Sequence, residues 1–156
     1  MTGDATVLAA LQRLLKSEFT SMAQYRAHAQ VFKNQGYKPL KHKLHGFFHE
    51  EDHHSKQLIN RFLFLGGEQN ATDFVPDAPK LATDVVAIFA ADLERELQVV
   101  KDYNAGVKTA EYASDQGTAK LLRNILAEEE KHVLYLEEQL SLIRDIGKAD
   151  YLSTKV

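Results

Sequence analysis

Glu51-Asp52-His53-His54 decides the reading of this chain, because Glu129-Glu130-Lys131-His132 repeats its spacing. Each stretch holds a Glu-x-x-His pair, Glu51 with His54 and Glu129 with His132. Positions i and i+3 of a helix share one face about a turn apart, so a carboxylate and an imidazole so placed reach a single metal ion together. A chain with 22 acidic residues and 7 histidines forms isolated pairs of this kind by chance. The flanking spacing carries more information. Glu18 lies 33 residues before Glu51 and Glu96 lies 33 before Glu129, so Glu18, Glu51 and His54 recur 78 residues later as Glu96, Glu129 and His132. Tyr25 and Tyr103 are related by the same 78, each standing seven residues, or two helical turns, after its glutamate.

This pattern reads as an internal duplication of a helix pair that carries half a metal site. One glutamate from each of two helices, with Glu-x-x-His from the other two, is the donor set of carboxylate-bridged di-metal bundles. The alternative is a set of buried ion pairs without metal. Four buried carboxylates against two histidines would then leave uncompensated charge, at several kcal/mol per ion. Two divalent cations balance four carboxylates.

Composition sets limits on everything else. At 156 residues the chain is expected to form one domain, 1–156, and to bury about two thirds of its unfolded surface. A net charge of only -3 provides no basic field for nucleic acid or an anionic membrane. The absence of cysteine excludes disulfides, zinc-thiolate sites and cysteine-ligated clusters. A metal held by carboxylate and imidazole alone suits iron, manganese or zinc. No apolar run has the length of a membrane span, and Met1-Thr2-Gly3-Asp4 leads directly into helical patterning with no signal-peptide profile. A cytoplasmic location is the expectation.

The periodicity predicts helices throughout. Asp4 is the expected N-cap of a first helix that runs to about Asn34 and stops at Gly36, with Leu11, Leu15, Glu18, Met22 and Tyr25 in its stripe. Pro39 suits the first turn of a second helix that continues to about Leu65 and ends at Gly66-Gly67. On it Leu44, Phe47, Glu51, His54 and Leu58 share one sector, so the ligand candidates turn inward with the apolar residues. Residues 66–81 contain Gly66, Gly67, Pro76 and Pro79 without periodicity and read as a structureless loop. Sixteen extended residues span about 50 Å and a 26-residue helix is about 39 Å long, so this loop can cross the whole bundle and make helices two and three parallel. Thr83 is the expected N-cap of a third helix over 84–112. After a turn at Ser114-Asp115-Gln116-Gly117, a fourth helix covers 118–146. The tail from Lys148, with Tyr151 and Leu152, suggests a short fifth helix that needs a surface to dock on, for which a neighbouring subunit is the natural candidate. The expected fold is an all-α antiparallel four-helix bundle with one long crossover between helices two and three.

In Gln24-Tyr25, Phe32-Lys33-Asn34, Phe64-Leu65 with Gly67, Asp92-Leu93 and Glu129-Glu130-Lys131-His132, and over essentially its whole length, the chain resembles the bacterioferritins of the ferritin-like superfamily. The resemblance implies iron storage and detoxification in a hollow 24-subunit shell built from two-fold dimers. Ferrous iron would be oxidised by dioxygen or hydrogen peroxide at an intrasubunit di-iron centre, a ferroxidase activity, and laid down inside as a ferric mineral. It implies two iron ions per subunit, with Glu18 and His54 on one, Glu96 and His132 on the other, and Glu51 and Glu129 bridging. Tyr25 would stand beside the site as an electron donor. The same ligands also suit a di-iron redox enzyme, either a peroxide reductase or an oxidase, without mineral storage. They suit a di-manganese catalase as well. A non-catalytic bundle is disfavoured by the buried acids.

The chain departs from the family in one respect. Bacterioferritins usually hold haem across a two-fold interface between two methionines that follow the bridging glutamate. Here that position is Asp52, and the only methionines are Met1 and Met22. A carboxylate is a poor substitute for a thioether on low-spin haem, so haem with bis-methionine ligation is not expected. A haem-free homopolymer and a mixed shell with a haem-binding sister subunit both fit. The family's accessory inner-surface iron site, a histidine and an acid, falls at Gly46 and Glu50. His42, His49 and His53 lie within about 40° of one another on the wheel and could take over that role, although a solvated histidine-rich face is the plainer reading. His45 and Asp52 are expected to face a neighbouring subunit.

Overall fold

The computed structural model describes all 156 residues, and helices form wherever the periodicity calls for them. They are α1 (Ala5–Gln35), α2 (Lys38–Phe64), α3 (Val85–Tyr112), α4 (Gln116–Ile146) and α5 (Lys148–Ser153), with one 3₁₀ turn at Ala71–Phe74. The fold is the all-α ferritin-like four-helix bundle with a long crossover. The Asp4 carboxylate accepts from Thr6 N and caps α1. Gly36 ends that helix at φ 87°, a left-handed conformation that an L side chain would strain. Pro39 sits in the first turn of α2, where its missing N–H costs nothing.

Several local expectations need correction. The cap of α3 is Asp84 rather than Thr83, because its carboxylate reaches both Val86 N and Ala87 N. The fourth helix begins at Gln116, two residues early, under an Asp115 cap that accepts from Thr118 N. Residues 66–81 are not structureless. Asn70 and Asp73 form a capping box around the 3₁₀ turn, Gln12 donates to Asp73 at 3.2 Å, and Phe74 packs on Phe19 with ring centroids 5.5 Å apart. The fifth helix docks on its own bundle. Tyr151 is fully buried among Phe89, Leu136 and Ile143, and its hydroxyl donates to Gln139 Oε1 at 2.6 Å.

The crossover is strapped along α1. Thr20, Gln24 and His28, four residues apart on one face, accept in turn from the backbone N–H of Asp77 (3.0 Å), Lys80 (3.1 Å) and Ala82 (3.1 Å). Gln35, near the end of α1, donates to Thr83 O at 2.8 Å. The loop therefore climbs beside α1 from its first third to its C-terminus, and α3 starts where α2 started. This makes α2 and α3 parallel, as the loop length predicts.

The apolar core falls into two blocks. One packs Tyr25, Phe32, Leu44, Phe47, Phe89 and Leu136. The other packs Leu11, Leu14, Leu58, Phe62, Val99 and Leu122. On every long helix the polar candidates lie between the two, Glu18 on α1, Glu51 and His54 on α2, Glu96 on α3, Glu129 and His132 on α4. Burying each large apolar side chain stabilises by roughly 1.5–3 kcal/mol. The layer between the blocks has no such gain and must be balanced by other means.

Candidate metal centre

Each of the four long helices brings its inward stripe past mid-bundle at a carboxylate. Glu18, Glu51, His54, Glu96, Glu129 and His132 are all 0–1% exposed, and the structure brings all six together. His54 Nδ1 faces Glu129 Oε1 at 3.1 Å, Glu51 Oε2 at 3.4 Å and Glu18 Oε2 at 3.8 Å. His132 Nδ1 faces Glu51 Oε1 at 3.0 Å, Glu129 Oε2 at 3.2 Å and Glu96 Oε1 at 3.3 Å. Two ligand quartets result, Glu18–Glu51–His54–Glu129 and Glu51–Glu96–Glu129–His132, each with donor atoms within 4.8 Å of one another. Glu51 and Glu129 belong to both.

The tyrosines cross between the halves. Tyr25 on α1 donates its hydroxyl to Glu96 on α3, and Tyr103 on α3 donates to Glu18 on α1. Burial holds both phenols well above their ordinary range, so they remain protonated donors. The contact of Tyr103 is the counterpart of that of Tyr25. Two further residues join this centre, Glu128, which the sequence reading does not single out, and Glu50, which it assigns only to an accessory site. Glu128 Oε2 lies 2.5 Å from His54 Nε2, and Glu50 pairs with His132 Nε2. They too are 78 residues apart, so the duplication could have revealed them. Each imidazole thus has one nitrogen among buried carboxylates and the other on a half-exposed one. The surroundings of the two rings differ. The His132 ring stacks on Phe47 with centroids 4.0 Å apart and takes the edge of Tyr25 at 6.3 Å, whereas the position 78 residues after Phe47 is Ile125.

The electrostatics show a surplus of acceptors. Glu18 Oε2, Glu51 Oε1, Glu96 Oε2 and Glu129 Oε2 are buried without a hydrogen-bond partner. The two nearby Nδ1 atoms cannot satisfy them, since each carries at most one hydrogen and faces three carboxylates. Burial raises Glu18 and raises Glu51 well above the ordinary carboxylate range, and pushes Glu96 up to about 8. Burial acts on Glu129 in the same sense, but its hydrogen bonds with His132 and His54 prevail and hold it low. For both histidines burial favours the neutral ring, and the surrounding carboxylates, Glu129 first, override it and raise them. Orphaned, mutually repelling carboxylate oxygens beside unsaturated imidazole nitrogens are a hard-donor set that two cations would complete.

Comparison with known proteins agrees with this geometry. The ferritin-like domain model matches residues 8–146. A bacterial ferritin of Neisseria meningitidis is 33% identical over the full length of both chains. A bacterioferritin of Streptomyces coelicolor is 32% identical over all of this chain and 92% of its own. A bacterial ferritin of Synechocystis is 31% identical over 100% of this chain and 99% of its own. With matches that run from end to end, this chain belongs to the ferritin-like family, among the bacterioferritins.

Proposed function

We propose that the chain stores and detoxifies iron, oxidising ferrous to ferric ions at the mid-bundle centre and depositing ferric mineral inside a 24-subunit shell built from two-fold dimers. One observation carries this reading: four orphaned carboxylate oxygens distributed over two quartets that share Glu51 and Glu129. In it Glu18 and His54 hold one ferrous ion, Glu96 and His132 the other, and Glu51 and Glu129 lie between them. Two adjacent ferrous ions are the substrate. Together they surrender two electrons, which reduce dioxygen with two protons to hydrogen peroxide, or peroxide with two protons to two waters, so no one-electron oxygen radical is released.

The residues supply the rest. Carboxylate oxygens stabilise the harder, more highly charged ferric product. Glu128 and Glu50 orient the imidazoles from outside, and Tyr103 fixes Glu18. Tyr25 fixes Glu96 and stands beside the site as an electron donor. Asp52 forms an ion pair with Lys56 at 3.0 Å and provides no thioether, so the shell takes no haem of the bis-methionine kind, either as a homopolymer or beside a haem-binding sister subunit. No helix is long and apolar enough to cross a membrane, and the protein works as a single-domain cytoplasmic subunit with no nucleic-acid partner.

Aerobic loading with a large excess of ferrous iron tests the reading, with iron and protein followed together on a sizing column. Iron far above two ions per chain, eluting with a large shell, is the expected result. Uptake that stops at two per chain would replace storage with a di-iron peroxide reductase or oxidase.

A further inference from the structure

All six donors of the centre are 0–1% exposed, so an ion reaches them only through a seam between helices. The bundle consists of two closely packed hairpins, α1 with α2 and α3 with α4. Two seams join the hairpins, α1–α3 on one side and α2–α4 on the other. At each seam stand the residues that precede a ligand. Ser17 and Arg95 precede Glu18 and Glu96, and Glu50 and Glu128 precede Glu51 and Glu129. Both pairs are related by the repeat of 78, yet the two seams carry opposite charge.

At the α2–α4 seam both members are half-exposed carboxylates, and each touches the far nitrogen of an imidazole ligand. At the α1–α3 seam one cation breaks the symmetry. Arg95 Nη2 donates to Ser17 O at 2.7 Å and to Ser17 Oγ at 2.5 Å, and Arg95 Nε donates to Ser21 Oγ at 3.0 Å. The guanidinium thus bridges the two helices at the level of Glu18 and Glu96. Its hydrogen bonds all run to serine oxygens, so no carboxylate offsets its charge at contact, and a guanidinium does not lose its proton in a protein. The surface pocket beside it, about 270 Å3 in volume, also contains Asp77 and Glu94. Both acids are already paired with lysines, Asp77 with Lys16 at 3.5 Å and Glu94 with Lys80 at 2.6 Å. Nothing on this side gathers cations.

We propose, on the reading of the centre as one that takes up ferrous iron, that Arg95 closes the α1–α3 seam to cations, so that metal ions enter and leave through the α2–α4 seam past Glu50 and Glu128. Arg95 is not a ligand. It sets the direction from which the ions arrive. A fixed positive charge in a narrow opening repels a divalent ion, whereas two half-exposed carboxylates concentrate it. Each of those carboxylates already adjoins a ligand, Glu128 beside His54 and Glu50 beside His132, so an arriving ion is passed straight to an imidazole.

Stopped-flow uptake of Co2+, a divalent probe that reports binding without ferrous oxidation, tests this on the metal-free, full-length protein. The wild type is expected to take up one Co2+ for each of the two quartets, and Glu18→Ala should take up less, which ties the absorbance to the centre. Arg95→Gln keeps donors for the serines but removes the charge, and should speed uptake by about tenfold. Arg95→Lys keeps the charge and should stay near the wild-type rate. Glu50→Gln should slow uptake in the wild type, and much less so in Arg95→Gln, where the second seam is open. Arg95→Gln at the wild-type rate would overturn the proposal. So would Arg95→Lys as fast as Arg95→Gln, since the arginine would then only brace the helices. A wild type that takes up no Co2+ would instead refute the metal centre itself, and the proposal with it.

Discussion

Two clusters of polar side chains are sealed inside this bundle, and they resolve their burial in opposite ways. At the crossover, Asp92 Oδ1 accepts from Gln24 Nε2 and from His28 Nδ1, both at 2.8 Å, while His28 Nε2 and Gln24 Oε1 accept from the loop backbone. Because Nε2 accepts, the hydrogen of His28 must sit on Nδ1, and a neutral ring satisfies both ends. Only Asp92 Oδ2 lacks a partner. At mid-bundle four glutamate oxygens lack one, and hydrogens are too few. The first cluster is complete as protein and works as a latch. The second has more buried acceptors than hydrogens to serve them, a balance that cations would restore.

The largest effect should come from the second cluster. Glu18→Ala or His54→Ala should slow ferrous oxidation, read as the rise in ferric absorbance, by more than the roughly 10–100-fold that loss of an outer hydrogen-bond partner costs. Wild-type rates would remove these residues from the centre. His28→Ala breaks the latch instead. It removes one of the two donors to a buried carboxylate and should cost about 2–3 kcal/mol in denaturant unfolding, while the number of metal ions bound stays the same. A change in stoichiometry would show the two clusters to be coupled.

Glu128→Gln tests the outer partners. Metal affinity measured by competition should fall roughly 10–100-fold, with little change in stability, since Glu128 is half exposed. The smallest effect sharpens the contrast most. In the metal-free chain Glu51 is a surplus acid, so Glu51→Gln should raise stability at neutral pH by about 1 kcal/mol, opposite in sign to His28→Ala. The pH dependence has the same origin. With its folded value at about 8 against 4.5 for a free glutamate, Glu96 holds a proton in the folded chain that the unfolded chain has lost. Its contribution is full below pH 4.5 and disappears as pH rises through about 8. The metal-free melting temperature should decline across that window, and saturating metal should flatten the decline. A metal-free chain that gains stability there would refute the assignment of surplus acids.

Much of this was legible in the spacing alone. The repeat of 78 picks out six ligand candidates, and the stripes set four helices and their direction. The misses have physical causes. Glu50 and Glu128 precede inward-facing glutamates by one residue, so a helical wheel turns them toward solvent. What brings them into the site is the reach of an imidazole, whose far nitrogen emerges beside them. Thr83 and Asp84 are both competent caps, and only the backbone path of the loop chooses between them. The docking of α5 depended on whether Tyr151 could find an apolar slot and an acceptor within its own chain. Phe89 and Gln139 supply both, and neither proximity can be read from a periodicity.

The stack of Phe47 on His132, with Ile125 at the matching place in the other half, makes the two quartets chemically distinguishable. The carboxylates alone would leave them near copies. An aromatic surface against one imidazole and an aliphatic residue at the other's counterpart give each occupant its own resonance environment. A spectroscopy that senses the ring nitrogens should therefore resolve two signals from one chain, each assignable to its half of the duplication.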